Sequence, residues 1–203
     1  MPKTQPVKPP SPSSRQRRLT PLGRTRRTEE QRELLTDVLG EDAPNIFSTL
    51  VRHPALYRKW LPFCLHLLTD SAFPDREREL LIIRTASLCG SDYELHHHIG
   101  LGSQAGLTDQ ELAALTGEAT VNWPTRDRLL LAATDQLHAI HTIRGTTWHA
   151  LTGLLTTEQL IELPMLVGHY ILLAGTLSSL GVPIDGVPAL PEPDTAPQPH
   201  SAG

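Results

Sequence analysis

Cysteine is nearly absent from this 203-residue chain: only Cys64 and Cys89 occur, 25 positions apart. That spacing gives neither the disulfide framework of a small secreted domain nor the C-x-x-C pairs of a zinc site, and a reducing, cytoplasmic compartment is the expectation. Long apolar runs are lacking too. The greasiest stretch, Leu160 to Leu180, is interrupted by Glu162, Pro164, Gly168 and His169, so the sequence reads as a soluble chain with no membrane partner. No segment alternates with period two, and Asp185-Gly186, the one hairpin-type dipeptide, lies in a Pro-rich region rather than between apolar runs. A Gly-rich phosphate loop, a G-x-S-x-G elbow and an H-E-x-x-H pair are all missing, which removes the usual marks of nucleotide binding, serine hydrolysis and zinc proteolysis.

Charge is scarce in the wrong place for a polyanion binder. The net value of −4 hides eight basic residues, from Lys3 to Arg27, that all precede the first acidic one, Glu29; the remainder carries about −12. Nucleic acid is therefore not an expected partner of the body of the protein. Residues 1–27, rich in Pro, Ser and Arg, have little apolar surface to offset the entropy of ordering them and are expected to form a disordered basic arm. The arm lacks the amphipathic stripe of an organelle-targeting segment and the apolar run of a secretory signal. A second Pro-rich tail is expected over 186–203, which leaves a single domain at 28–185.

Within that domain the punctuation is helical. Thr28-Glu29-Glu30-Gln31, Ser91-Asp92-Tyr93-Glu94, Thr108-Asp109-Gln110-Glu111 and Thr156-Thr157-Glu158-Gln159 each have the form of a capping box, while Gly40, Gly90, Gly106, Gly117 and Gly181 stand where helices should stop. The spacing predicts nine helices and an all-α fold, with Pro62 kinking the third helix.

Three polar side chains fall on faces that should be apolar. Glu79 shares a face with Ile82, Ile83 and Ala86 of the greasy fourth helix. A carboxyl placed there loses hydration, which is one way to make a general acid or relay; the bland reading is a buried ion pair with Arg84 or Arg126. On the fifth helix Glu94, His98, Leu101 and Ala105 fall in one inward stripe, so Glu94 and His98 are one turn apart. Glu94 has its own bland reading as the acid of the Ser91 capping box, and His98 as a hydrogen-bonded core histidine. His96 should be solvated and His97 lateral or at a subunit contact. His169, beside Tyr170 on the last helix, reads as core packing with a polar handle, or as pocket lining. Metal binding would need three or four converging ligands, and Glu94 with His98 supplies two, so neither metal nor cofactor is expected.

The run Arg76-Glu77-Arg78-Glu79-Leu80, then Cys89 to His98, then Ala105-Gly106-Leu107-Thr108-Asp109-Gln110-Glu111 resembles the carboxymuconolactone decarboxylase family, whose superfamily includes the alkylhydroperoxidase D type peroxidases. Gly168-His169-Tyr170 and Leu180-Gly181-Val182-Pro183 resemble longer members of the decarboxylase-like branch. The resemblance spans about residues 30–185 and implies a helical homo-oligomer with its active site in a pocket near a subunit contact. The peroxidase branch uses a Glu, a C-x-x-C pair and a His; here Glu79 and His98 match, while Ser91 and Glu94 occupy the cysteine positions, so a dithiol cycle is not available. The decarboxylase branch, with Glu-x-x-x-His on this helix, is the better match. It implies cofactor-independent acid-base chemistry on a small cyclic carboxylate, lactone or polyketide-like substrate, with His98, Glu94 and Glu79 as the catalytic set. Tyr93, His97, His169 and Tyr170 are the expected substrate-binding residues. A single-cysteine peroxidase or reductase at Cys89 and a non-catalytic or regulatory oligomer of the same fold are the alternatives.

Overall fold

A computed structural model describes residues 18–40 and 42–186. The helices run α1 Glu29–Leu39, α2 Asn45–Leu50, α3 Pro54–Thr69, α4 Asp75–Cys89, α5 Asp92–Gln104, α6 Asp109–Leu115, α7 Thr125–Ile140, α8 Gly145–Thr152 and α9 Thr157–Leu180, with one turn of 3-10 helix at Arg24–Arg26; no strand occurs among the described residues. The all-α reading stands, and the boundaries sit where the capping chemistry put them. Thr28, Thr108 and Thr156 each accept the amide three residues on while Gln31, Glu111 and Gln159 reach back. Gly40, Gly106 and Gly181 leave their helices at positive φ, a conformation that costs other residues free energy. At the end of α7 that position is taken instead by His141.

The fourth box fails, and the reason lies in the preceding helix. Gly90 adopts the left-handed conformation, donates to Ser87 O, and turns Ser91 so that its amide donates to Ala86 O, the double bond of a Schellman motif. With the Ser91 amide spent on α4, Glu94 has nothing to reach back to, and Ser91 makes no side-chain cap bond. Glu94 turns inward instead.

α4 is the central strut. Leu80, Leu81, Ile82 and Ile83 are all fully buried, each stabilising the fold by roughly 1.5–3 kcal/mol, and they pack on α5, α7 and α9. The outer positions of α4 are tied by arginine pairs: Arg76 to Asp127 and Glu111, Arg84 to Asp135, and Glu77 to Arg126. A second core joins Leu35, Phe47, Val51, Tyr57, Leu61 and Cys64 to Tyr93, Leu173 and Leu177, and so seats α1–α3 on α5 and α9. α9 is long and apolar enough to cross a membrane by length and composition, yet half of its apolar window is buried inside the domain.

Residues 18–27, read from the sequence as part of the arm, belong to the folded body. Leu22 is buried in the second core, the Arg18 and Leu19 amides donate to Leu180 O, and Arg52 Nε donates to Thr20 O. A few apolar and backbone contacts that composition averages away are enough to hold this segment. The rest of the arm, residues 1–17, and the tail from 187 lie outside the described residues.

Candidate active site

Glu79 projects from α4 toward α5, only 1% exposed, and its Oε2 lies 2.7 Å from His98 Nδ1. Its other oxygen accepts from Arg78 Nε and Nη2, both at 3.2 Å, and Arg78 in turn binds Asp75 at 2.7 Å. The ion pair with Arg84 or Arg126 is not formed, because Arg84 pairs with Asp135 on α7 and Arg126, itself on α7, pairs with Glu77. Arg78, the immediate neighbour in sequence, does that job. Its signal was present as the Asp75–Arg78 spacing of three on one helix face.

A carboxylate accepting from Nδ1–H fixes both the tautomer and the tilt of an imidazole, and leaves Nε2 as the ring nitrogen able to take a proton. The ring of His98 also meets Tyr170 edge-on, with centroids 5.2 Å apart. His98 is therefore held from two sides, by α4 and α9.

Glu94, one turn before His98, is 3% exposed, and neither of its carboxylate oxygens has a hydrogen-bond partner among the described residues. Burial pushes its pKa from 4.5 up to about 7, with the nearby Ser91 side chain offsetting part of the rise. An unpartnered buried acid that exchanges its proton near neutrality suits a general acid, and it leaves Glu94 without the structural explanation that a capping box would have supplied. The inward stripe itself runs Glu94–His98–Gly102 rather than on to Leu101, which is exposed. Gly102 is needed there: a Cβ would lie 2.7 Å from Ile83 Cδ1, so α5 approaches α4 at this point with no room for a side chain.

His169 and Tyr170 continue the same buried zone. His169 stacks on Trp60, takes Phe63 edge-on at 5.2 Å and touches the ring of Tyr170. Its Nε2 has no partner, and burial pushes its pKa down to about 4, so the ring is neutral. Burial first, and then the charges of Cys64, Glu79 and Glu94, raise the Tyr170 phenol well above its usual range, so it remains a proton donor. Trp60, whose Nε1 is also buried and unpartnered, was not singled out in the sequence. It lies on α3, sixteen residues before the Arg76–Leu80 run, and no local pattern marks it.

Two expected substrate-binding residues have another role. The Tyr93 hydroxyl donates to Asp185 Oδ2 and accepts from the Ile46 amide, and His97 Nε2 lies 2.9 Å from the same Asp185 oxygen. Both side chains thus fasten the 182–186 segment to α5 and α2, away from Glu79, and Tyr93 has no proton left for a substrate. His96 is exposed.

Neither cysteine is poised for redox chemistry. Burial, and then the Glu94 charge, push the Cys89 thiol up to about 11, and burial pushes Cys64 to about 12, so both are protonated at neutral pH. Among the described residues no three His, Cys, Asp or Glu side chains converge as metal ligands. A groove of about 330 Å³ between α4, α6 and α7, bordered by Arg84, Trp123, Arg128 and Asp135, contains none of the candidate site residues.

No curated protein matches the chain. Among solved structures it is similar to a peroxidase-related protein with an alkylhydroperoxidase AhpD core from Ralstonia eutropha JMP134, at a TM-score of 0.72 and 16% identity, covering 83% of this chain and 92% of that one. It is also similar to a peroxidase-related protein from Silicibacter sp. TM1040, at 0.66 and 15%, covering 78% and 84%, and to a protein of unknown function from Agrobacterium tumefaciens, at 0.59 and 12%, covering 66% and 92%. Identities this low establish a shared AhpD-like fold and nothing more. Residues 54–136, from the start of α3 into α7, match the carboxymuconolactone decarboxylase family, and Glu79, Glu94 and His98 all lie inside the match.

Proposed function

We propose that the protein is a cofactor-independent acid-base enzyme acting on a small cyclic carboxylate, lactone or polyketide-like substrate, by decarboxylation or by an isomerisation or elimination with the same proton-transfer needs. The observation that carries this reading is the Glu79–His98 contact at 2.7 Å, with the unpartnered acid Glu94 one turn away on the same helix. His98 takes a proton through Nε2, and Glu79 stabilises the imidazolium that forms. Glu94, exchanging its proton near pH 7, returns one. In a decarboxylation the carbon–carboxylate bond breaks, its electron pair passes into the adjacent carbonyl system as an enolate, and the proton from Glu94 or the imidazolium quenches the carbanion carbon. The Tyr170 phenol, a proton donor beside His98, can bond the enolate oxygen.

The relatives of known structure are described as peroxidase-related, but thiol chemistry finds little support here. Ser91 and Glu94 stand at the positions where that branch carries its cysteines, and the Cys89 thiol is protonated.

The test is a thermal-shift screen of aromatic acids, muconolactone-like compounds and cyclic keto acids on the wild-type protein and His98→Ala, followed by turnover assays on every hit. A compound that stabilises the wild type, is consumed by it and is left intact by a folded His98→Ala supports the assignment. Turnover that survives in His98→Ala ends it.

A further inference from the structure

The groove between α4, α6 and α7 has the parts of a binding site of its own. One face of α7 lines it, with Arg128, Leu131, Ala132 and Asp135 at positions i, i+3, i+4 and i+7. Leu115 of α6, buried, and the half-buried indole of Trp123 complete its apolar walls. Ala114 on α6 and Ala132 on α7 have side chains too short to fill the space. At about 330 Å³ the groove lies at the small end of ligand pockets, which run from roughly 300 to 1,000 Å³, so it suits a single ring rather than a nucleotide.

The rim is charged, and its charges do not cancel. Arg84 and Asp135 close on one another: Nε donates to Oδ1 at 2.7 Å, Nη2 donates to Oδ2 at 3.1 Å, and Nη1 reaches Leu115 O at 3.4 Å. The other arginines of this region are paired as well, Arg76 with Asp127 and Glu111, Arg126 with Glu77. Arg128 is the exception. Among the described residues it makes one hydrogen bond, to Thr125 Oγ1 at 3.4 Å, and meets no carboxylate. Beyond residue 27 acidic residues outnumber basic ones by 22 to 10, so carboxylates are plentiful, and none is placed for this guanidinium. The groove therefore has one net positive charge at its edge, beside an indole and aliphatic walls.

We infer that this groove binds a small aromatic or unsaturated-ring carboxylate, its ring among Trp123, Leu115 and Leu131 and its carboxylate on Arg128. Each half of such a ligand answers one half of the groove. A flat ring displaces water from the apolar walls and packs on the indole, and a planar carboxylate matches two N–H donors of a guanidinium at once. The Arg84–Asp135 pair adds no net charge, so it does not repel the acid, and a second negative charge on the ligand would find no cation. A monoacid is therefore favoured over a diacid or a phosphate dianion. None of Glu79, Glu94 and His98 borders the groove, so this is a second site, and the inference does not depend on the chemistry proposed for the first.

The three tryptophans separate the possible outcomes, because Trp123 lies in the groove, Trp60 beside His169, and Trp148 on the exposed side of α8. The isotopically labelled full chain is titrated with benzoate and, separately, with its uncharged isostere benzamide, and the indole N–H signals are followed by NMR, with Trp123→Phe and Trp60→Phe assigning them. The expected result is a saturable shift of the Trp123 signal by benzoate, with a Kd on the order of 1 mM, while Trp148 stays still. Benzamide, and benzoate on Arg128→Gln, should each bind about 10-fold more weakly. Arg128 is exposed, so Arg128→Gln keeps the fold, which an unchanged melting temperature verifies. A Trp123 signal that benzoate does not move overturns the inference, as does equal affinity for benzoate in wild type and Arg128→Gln. Movement of the Trp60 signal alone, lost in His98→Ala, overturns it in favour of an anion entering the candidate active site.

Discussion

Glu79 and His98 come from different helices, nineteen residues apart, and meet at 2.7 Å in a place where neither reaches bulk water freely. The contact makes α4 and α5 one functional unit, because the rotation of α5 that buries Gly102 on Ile83 also turns His98 onto Glu79.

Removing the carboxylate should therefore be felt twice. Glu79→Ala leaves the Arg78 guanidinium, 13% exposed, without its buried partner, and it frees the imidazole. Breaking such a pair costs about 3–5 kcal/mol. Chemical denaturation should show a loss of that order for Glu79→Ala. Glu79→Gln keeps the shape and should lose less stability, while still losing at least 10-fold in turnover, since a neutral amide does not stabilise an imidazolium as a carboxylate does. Equal turnover in Glu79→Gln and wild type would remove Glu79 from the mechanism.

Glu94 sets the sign of a pH dependence. Its folded pKa, about 7, lies above the unfolded 4.5, so the folded state holds this proton more tightly. The protein is free of the penalty below pH 4.5, pays it increasingly through pH 7, and carries all of it above that. At about 1.4 kcal/mol per pH unit the full penalty is on the order of 3 kcal/mol. Glu94→Gln should be markedly more stable than wild type at pH 8.5 and nearly equal to it at pH 4.5, as read from melting temperatures at both. A proton-donating Glu94 also makes turnover fall as pH rises through about 7, and Glu94→Gln should abolish that limb.

Cys89 and Cys64 should resist labelling. With thiols at about 11 and 12, the thiolate fraction of Cys89 at pH 7 is about one in 10,000, and iodoacetamide should modify the native protein far more slowly than the urea-unfolded one. A rapid phase of one thiol per chain would return Cys89 to consideration as a nucleophile.

Much of this fold was legible in the sequence because its boundaries are written in local chemistry. Thr28, Thr108 and Thr156 start helices with atoms three residues away, and Gly40, Gly90 and Gly181 end them through their own backbone freedom. Glu79, Glu94 and His98 were found because each breaks an apolar periodicity. What the sequence could not reveal is long-range. That Glu79 meets His98, and that Trp60 and His169 stack, depend on how separate helices pack. The Ser91 box misled for a sharper reason: two motifs compete for one amide, and the Schellman turn of α4 takes it.

The end of the domain offers the last test. Asp185 accepts from the Asn45 amide at 2.8 Å through Oδ1, while Oδ2 receives the Tyr93 hydroxyl and faces His97. Asn45 Nδ2 donates to Pro183 O, and Val182 and Ile184 rest on the second core. The segment thus clamps the start of α2 to α5, next to the turn that carries Glu94. Asp185→Ala leaves the buried Tyr93 hydroxyl and the Asn45 amide short of an acceptor, which costs about 1–3 kcal/mol for such a group. A chain ending at Gly186 should match the full-length melting temperature, and one ending at Val182 should lose at least as much stability as Asp185→Ala does. If the chain ending at Val182 melts with the full-length protein, the clamp is idle and the folded body ends at α9.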